Sequence, residues 1–380
     1  MKDLSESRIL IVDDAKANVD MLVEALRGEY KLSVALSGES ALRIIEKTPL
    51  DLVLLDIVMP GMDGYEVCRR LRASPLTQEL PVMFLSALED VGNKTLGFEV
   101  GANDYLTKPF EILEVKARVR SLLKAKAYSD AVKEKMASEL RIAREIQLGI
   151  LPSDISASTE GTGLEIVAFL EPAREVGGDL YEVLRTEDGR VVVVLGDVSG
   201  KGIPAALFMA VTMTLVRTLG RQFRAPDEIV RQVSDALAKQ NPRDMFVTLF
   251  CAVYDPRDGL LSCASAGHPS PALVSPGKPP SLPVSPTAGL AGLEVGLEVS
   301  SHTLELRPGE TLVLYTDGVT EAFDAADRMF EEEGLLAHLA AAPGETAGET
   351  VSGLVGAIRR FTGDHPQSDD IAIIALRRRA

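Results

Sequence analysis

The chain has 380 residues, 46% of them apolar, with 31 glycines and 21 prolines, a length and composition that predict two or three globular domains. Forty basic against 56 acidic residues leave a net charge of −16. That balance argues against nucleic-acid binding, where positive surface must replace counterions, and against docking on anionic membranes. The three cysteines, Cys68, Cys251 and Cys263, form no C-x-x-C pair, so zinc and redox motifs are unsupported and a reducing cytosol is the expected compartment. The polar N-terminus is not read as a signal peptide. No apolar run is expected to approach the ~20 residues of a transmembrane helix.

Residues 8–123 alternate short apolar runs with amphipathic stretches. Strands are predicted at Arg8–Val12, Leu32–Ala35, Leu52–Leu55, Val82–Leu85 and Asp104–Leu106, each followed by a helix-period segment. Five strands alternating with helices predict an α/β domain with a doubly wound parallel sheet, whose ligands bind beyond the carboxyl ends of the strands. Asp13, Asp56 and Ser86 fall at predicted strand ends, and Lys108 follows one closely.

Residues 111–150 contain no Pro, and no Gly before Gly149. Apolar residues recur at three- and four-residue steps, from Val115 and Val119 through Val132, Met136 and Ile146, and predict one long helix. Leu151-Pro152 ends it. Two readings stand side by side. One is a coiled-coil homodimer, because a breaker-free helix longer than ~25 residues needs a partner; the other is a single helix packed along its own domains.

In the last part, strands are predicted at Leu164–Leu170, Arg190–Leu195, Phe246–Tyr254, Leu260–Ala266, Thr311–Tyr315 and Ile371–Leu376. Helices are predicted at Pro204–Leu219, Pro226–Lys239 and Glu345–Phe361, and a loop over Ser275–Pro286. Such a series predicts antiparallel sheets covered by helices. The expected organisation is one domain over residues 1–123, a helical, coiled-coil-like linker over 124–152, and a second domain over 153–380.

The chemistry lies in aspartates at strand ends. Taken singly, Asp13-Asp14 could cap a helix, Asp56 could be a turn residue and Lys108 a solvated charge. Jointly, "ILIVDD" (Ile9–Asp14), "LLDIVMPGMDG" (Leu54–Gly64), "FLSA" (Phe84–Ala87) and "YLTKPF" (Tyr105–Phe110) occur in order on successive strand ends. This stretch resembles the receiver domain of bacterial response regulators. The resemblance implies Asp56 as the nucleophile that takes a phosphoryl group from a sensor histidine kinase. It implies Mg²⁺ held by Asp13, Asp14, Asp56 and the Val58 carbonyl, Lys108 paired with the acyl phosphate, Ser86 bonded to a phosphoryl oxygen, and Tyr105 reorienting with it. A carboxylate attacking phosphorus needs such metal and ammonium charge beside it.

Five further motifs, "EVGGDLY", "GDVSGKG", "AGHPSPAL", "YTDGVTEA" and "SDDIAII", span about residues 160–377. Each alone could be a Gly-rich turn, a hairpin or a charged strand start, and the glycines around Lys201 fail the Walker pattern, because Gly202 stands where Ser or Thr is required. Together they resemble the SpoIIE-type serine/threonine phosphatases of bacterial sigma-factor pathways, relatives of the metal-dependent PP2C enzymes. The preceding "ELRIAREIQLGILP" is similar to that family's lead-in. The resemblance implies an α+β sandwich of two antiparallel sheets flanked by helices, holding two Mn²⁺ or Mg²⁺ ions. Asp179 and Asp197 would hold the pair, Asp197 bridging, with the Val198 carbonyl as a further ligand; Asp317 and Asp369 would complete the set, and Arg174 would grip the phosphate. Three positions depart from relatives: Ser199 stands where animal-type enzymes carry His, Ala372 where Thr is common, and Glu182 where many have Asp. His268 is expected to stabilise a turn, His365 is at most a group behind the ligands, and Asp370 is read as either a ligand or a backbone cap.

The expected whole is a cytoplasmic response regulator. Phosphorylation at Asp56 would control a metal-dependent phosphatase acting on a phosphorylated anti-sigma-factor antagonist. The rival reading is a phosphorylation-regulated adaptor that binds a sigma-factor pathway protein without catalysis.

Overall fold

The computed structural model describes residues 3–86, 99–152 and 154–379; Ala87, the last residue of the "FLSA" motif, lies outside them. The chain forms two compact units, Met1–Ser138 and Glu139–Ala380.

In the first unit, β1 (Arg8–Val12), β2 (Lys31–Ala35), β3 (Leu52–Asp56), β4 (Val82–Ser86) and β5 (Asp104–Thr107) pair in parallel in the order β2-β1-β3-β4-β5. The runs in β1, β3 and β4 are apolar without alternation because both sheet faces are covered. Leu10, Val12, Val53, Leu55 and Phe84 pack against α2 (Gly38–Lys47) and α3 (Gly64–Ala73). Ile9, Ile11, Leu52, Leu54 and Leu85 pack against α1 (Lys16–Leu26) and the start of α4 (Ile112–Ile150), through Leu22, Leu26, Val115, Val119 and Leu123. Strand order reverses between β1 and β3, which opens a crevice beyond their carboxyl ends.

α4 is a single helix of 39 residues. Val115, Val119 and Leu123 are fully buried in the first unit, whereas Tyr128, Val132, Met136, Ile142 and Ile146 are exposed. Its last turns, from Glu139 onward, belong to the second unit.

The second unit adds the short α5 (Ser156–Thr159), then β6 (Leu164–Glu171), β7 (Leu180–Arg185), β8 (Val191–Val198), α6 (Ile203–Gln222) and α7 (Pro226–Ala238). There follow β9 (Val247–Asp255), β10 (Leu260–Ala266), β11 (Ala272–Val274), β12 (His302–Glu305), β13 (Thr311–Tyr315), α8 (Asp317–Thr320), α9 (Glu331–Ala341), α10 (Ala347–Thr362) and β14 (Ile371–Arg378). Two antiparallel sheets result, β12-β10-β9-β8-β7 and β11-β13-β14-β6.

Strand alternation explains the layers. Val191, Val193 and Leu195 of β8 point to the space between the sheets, where they meet Leu312 and Leu314 of β13 and Ala372 and Ile374 of β14. Val192 and Val194 point the other way, under α6 and α7, against Met209, Met213, Val216 and Val233. Val313, Ile371 and Ile373 face α9 and α10 through Leu335, Leu339 and Leu354. The unit is thus a helix–sheet–sheet–helix sandwich, the expected α+β arrangement.

The expectation that no apolar run approaches membrane-spanning length is corrected by α6. By length and composition this helix of 20 residues could cross a membrane. Here one of its faces, with Ala205, Met209, Met213 and Val216, is buried against β7 and β8.

Candidate functional site

Two acidic sites stand at strand ends, one in each unit. In the first unit, β1 and β3 deliver Asp13 and Asp56 to the crevice, both buried, with Asp14 beside them exposed. Their carboxylate oxygens, with one from Asp14, come within 4.8 Å of one another; among the described residues this is the one group of three acidic, His or Cys ligands that does so. Lys108, just beyond β5, closes the cluster. Its Nζ lies 2.7 Å from Asp13 Oδ2 and 2.9 Å from Asp56 Oδ2. Asp13 also accepts from the Ala15 N–H at 2.9 Å and from Asn18 Nδ2 at 3.0 and 3.1 Å.

Burial pushes the Asp56 carboxyl up and Asp13 adds to this, while Lys108 and the Val58 N–H pull it down without cancelling the rise. Burial also works against the Lys108 charge, but its bonds to Asp13 and Asp56 prevail and raise its pKa. Ser86 is fully buried at the end of β4, Tyr105 is buried in β5, and Val58 is exposed. Asp13, Asp14, Asp56 and Lys108 therefore meet in one crevice, whose charge and oxygen donors suit Mg²⁺.

The second site follows from the same alternation. Asp197 has the parity of Val191, Val193 and Leu195, and Asp370 that of Ala372 and Ile374, so both continue the inner faces of their sheets. β7 pairs Leu180 with Gly196, which sets Asp179 beside Asp197. Thr316 and Asp317 follow β13, and the Thr316 N–H donates to the Ala372 carbonyl at 3.1 Å. All the aspartates named for this site accordingly meet at one end of the sandwich.

The fit to cations rests on charge. Asp179 is buried and accepts one hydrogen bond, from Thr316 Oγ1 at 2.8 Å. Burial, then Asp197 and Asp370, push its carboxyl well above the usual range. Burial, then Asp317 and Asp369, raise Asp197 as well, and Asp317 is raised by burial, Glu321 and Asp369. Such a group requires protons or divalent cations to stay together, and oxygen donors select Mg²⁺ or Mn²⁺. The buried Val198 lies at the same strand end as Asp197, whereas Arg174 is exposed on the loop before Asp179.

Asp370 is spent on the backbone. Its Oδ1 accepts from the Ala173 N–H at 2.8 Å and its Oδ2 from the Gly178 N–H at 2.6 Å. This clamp explains two glycines: a Cβ on Gly177 would lie 2.1 Å from Asp370 Oδ2, and one on Gly318 would lie 1.9 Å from the Asp370 carbonyl oxygen. Two contacts escaped sequence reasoning. Gln147, buried on α4, donates to the Gly177 carbonyl at 2.6 Å and accepts from its N–H at 3.1 Å. Lys201 Nζ sits 2.8 Å from Asp369 Oδ2. A lone Gln in a helical pattern gives no signal, and the glycines around Lys201 point only to a turn.

Glu182 pairs with Arg217 at 2.6 Å, and the Arg217 side chain also donates to the Ile150 carbonyl at 2.8 Å. His268 is buried with Nδ1 2.9 Å from Thr248 Oγ1, and burial drives its pKa down to about 3. His365 lies 3.8 Å from Asp327.

Comparison with known proteins gives two family matches. Residues 187–379 match the family model of stage II sporulation protein E (SpoIIE), and residues 9–168 match that of the response regulator receiver domain. The Gly177–Asp179 segment lies between the two matches. Among curated proteins, the response regulator PleD of Caulobacter vibrioides is 43% identical over 137 residues, 36% of this chain and 30% of PleD. The chain thus spans less than a third of that relative's length. Among solved structures, the SiaA-PP2C domain of Pseudomonas aeruginosa superposes with TM-score 0.57 at 24% identity, over 65% of this chain and 98% of that one, a likeness of fold. The RsbU and RsbW domains of Rv1364c from Mycobacterium tuberculosis give TM-score 0.50 at 26% identity, over 57% and 60%. The chain belongs to the SpoIIE family, with a PP2C-like fold in its second unit and a response regulator receiver domain before it.

Proposed function

We propose that the chain is a response regulator in which phosphorylation of Asp56 controls a metal-dependent protein serine/threonine phosphatase. The observation that carries this reading is the convergence of Asp179, Asp197, Asp317 and Asp369 at one end of the sandwich, with Asp179 and Asp197 raised by burial and by neighbouring carboxylates. In the second unit those four side chains and the Val198 carbonyl would hold two divalent ions. The ions would supply an acidified water and neutralise charge on the phosphoryl group. Asp370 keeps the Asp179 loop in place, and Arg174, free to reach outward, would bind the substrate phosphate through its planar fork.

In the first unit Asp56 would take the phosphoryl group from a sensor histidine kinase, with Mg²⁺ held by Asp13, Asp14, Asp56 and the Val58 carbonyl. Lys108 would leave its present bonds to pair with the acyl phosphate, and Ser86 would bond a phosphoryl oxygen. The reciprocal bonds between Gln147 and Gly177 support a route from α4 to the Asp179 loop. The exposed row Tyr128, Val132, Met136, Ile142 and Ile146 supports a homodimer formed through α4. The substrate would be a phosphorylated anti-sigma-factor antagonist in the cytoplasm, and residues 1–123, 124–152 and 153–380 would serve as receiver, linker and phosphatase.

The test is turnover of a phosphoserine substrate with Mn²⁺, with and without a small phosphodonor. Wild type should respond to the donor, Asp56→Asn should not, and Asp197→Asn should be inactive. Equal turnover by wild type and Asp56→Asn under donor would refute the control. Binding of the partner that persists in chelator, with no hydrolysis, would mark an adaptor instead.

A further inference from the structure

We infer that Lys201 is a tethered cation that holds the outer carboxylates of the second site when no metal is bound and must be displaced when one binds, so that it sets the site's metal affinity. The inference rests on the proposed metal role of Asp179, Asp197, Asp317 and Asp369. Lys201 lies in the turn between Asp197 and α6. The glycines on either side, Gly200 and Gly202, have φ of +86° and +76°, a backbone that only glycine adopts without strain. The turn carries the Lys201 side chain back across the site. Its Nζ lies 2.8 Å from Asp369 Oδ2 and donates to the Ser368 carbonyl at 2.7 Å. Its charge also acts on Asp317, against the burial, Glu321 and Asp369 that push that carboxyl up.

The site therefore divides in two. Asp179 is buried and Asp197 half-buried beside it, and no ammonium is bonded to either among the described residues. Asp317 and Asp369 are nearer solvent and share the Lys201 charge. An ammonium on a flexible four-carbon stem supplies one positive charge at this place. A divalent ion supplies two, and coordinates the oxygens directly. The Lys201 side chain is 41% exposed, so it can swing into water without disturbing a core. Metal binding must then break the Lys201–Asp369 pair and overcome repulsion from the ammonium left nearby.

The two consequences run in opposite directions. Removing the Lys201 charge should loosen the metal-free site and tighten metal binding. A lysine that helped to hold metal would do the reverse, and an ordinary surface lysine would do neither.

The experiment is calorimetric titration of the full chain with Mn²⁺, in an Asp14→Asn background to silence the first unit. It compares Lys201→Gln, Lys201→Met, Lys201→Arg and Asp197→Asn, with melting temperatures in chelator. For a partly exposed pair the two neutral variants should lower the Mn²⁺ dissociation constant by roughly three- to tenfold. They should also melt lower than wild type in chelator, and Lys201→Arg should stay close to wild type in both respects. If Asp197→Asn loses Mn²⁺ while both neutral variants bind it no more tightly than wild type, the inference about Lys201 fails alone. If Asp197→Asn and wild type bind Mn²⁺ equally, the metal site itself is refuted and Lys201 falls with it.

Discussion

Replacing Asp370 by Ala should loosen the second site from behind, without touching a proposed metal ligand. Its carboxylate accepts the Ala173 and Gly178 N–H groups at 2.8 and 2.6 Å, while the Asp179 N–H at 3.4 Å is too long to count for much. Asp370→Ala leaves two amides without acceptors. Each charge-assisted bond is worth about 1.5–3 kcal/mol, so the gross loss is about 3–6 kcal/mol. Removing one negative charge also relieves Asp179 and Asp197, both of which Asp370 pushes up. That relief offsets part of the loss. The net expectation is a loss somewhat below that, about 2–5 kcal/mol, read by urea unfolding of the full chain in chelator at pH 7. Hydrogen exchange supplies the local readout, because the Ala173 and Gly178 amides should lose protection before the sandwich unfolds. Asp370→Asn keeps one acceptor oxygen and should fall between. Unfolding within about 0.5 kcal/mol of wild type, the range of an ordinary surface substitution, with both amides still protected, would refute the reasoning.

His268 gives a second test, of pH dependence. Its folded pKa of about 3 lies below the unfolded value, so the unfolded chain binds the extra proton. The stability that neutral His268 contributes is complete above the unfolded pKa of about 6.5 and declines by about 1.4 kcal/mol per unit as pH falls towards 3. The His268→Asn variant should lack that decline, so the stability difference between wild type and variant should shrink by about 2 kcal/mol between pH 7 and pH 5. A difference independent of pH would contradict the buried neutral imidazole. Gly177→Ala, whose Cβ would meet Asp370 Oδ2 at 2.1 Å, should destabilise the second unit by about 1–3 kcal/mol. Gly149→Ala, with nothing within 4 Å inside α4, should stabilise the chain by about 0.5–1 kcal/mol. Equal effects at the two positions in thermal unfolding would remove the steric argument.

Local pattern made much of this molecule legible. In the first unit β1, β3 and β4 were legible because burial on both faces leaves an unbroken apolar signal. Asp13, Asp56, Asp197 and Asp317 were visible because each ends or follows an apolar run, whereas Asp179 and Asp369 stand just before β7 and β14. β7 was missed, since Leu180–Arg185 carries two acidic or basic side chains and follows a Gly-rich motif. β12 was missed because it is an edge strand with little burial, and β11 because it has only three residues. α9 begins with three glutamates on solvent and shows few core positions, Leu335 and Leu339. Burial of Asp13 beside exposed Asp14, the Asp370 clamp and the Gln147–Gly177 pair depend on segments far apart in sequence. No local period encodes them.

The central claim is that the second unit gathers its aspartates around two divalent ions. Anomalous diffraction from crystals of the chain grown with Mn²⁺ tests it most directly. The account predicts two manganese peaks bounded by Asp179, Asp197, Asp317 and Asp369, with Lys201 withdrawn from Asp369 and Asp370 still bonded to Ala173 and Gly178. Well-ordered crystals with manganese in the first unit alone, and Lys201 still on Asp369, would contradict it.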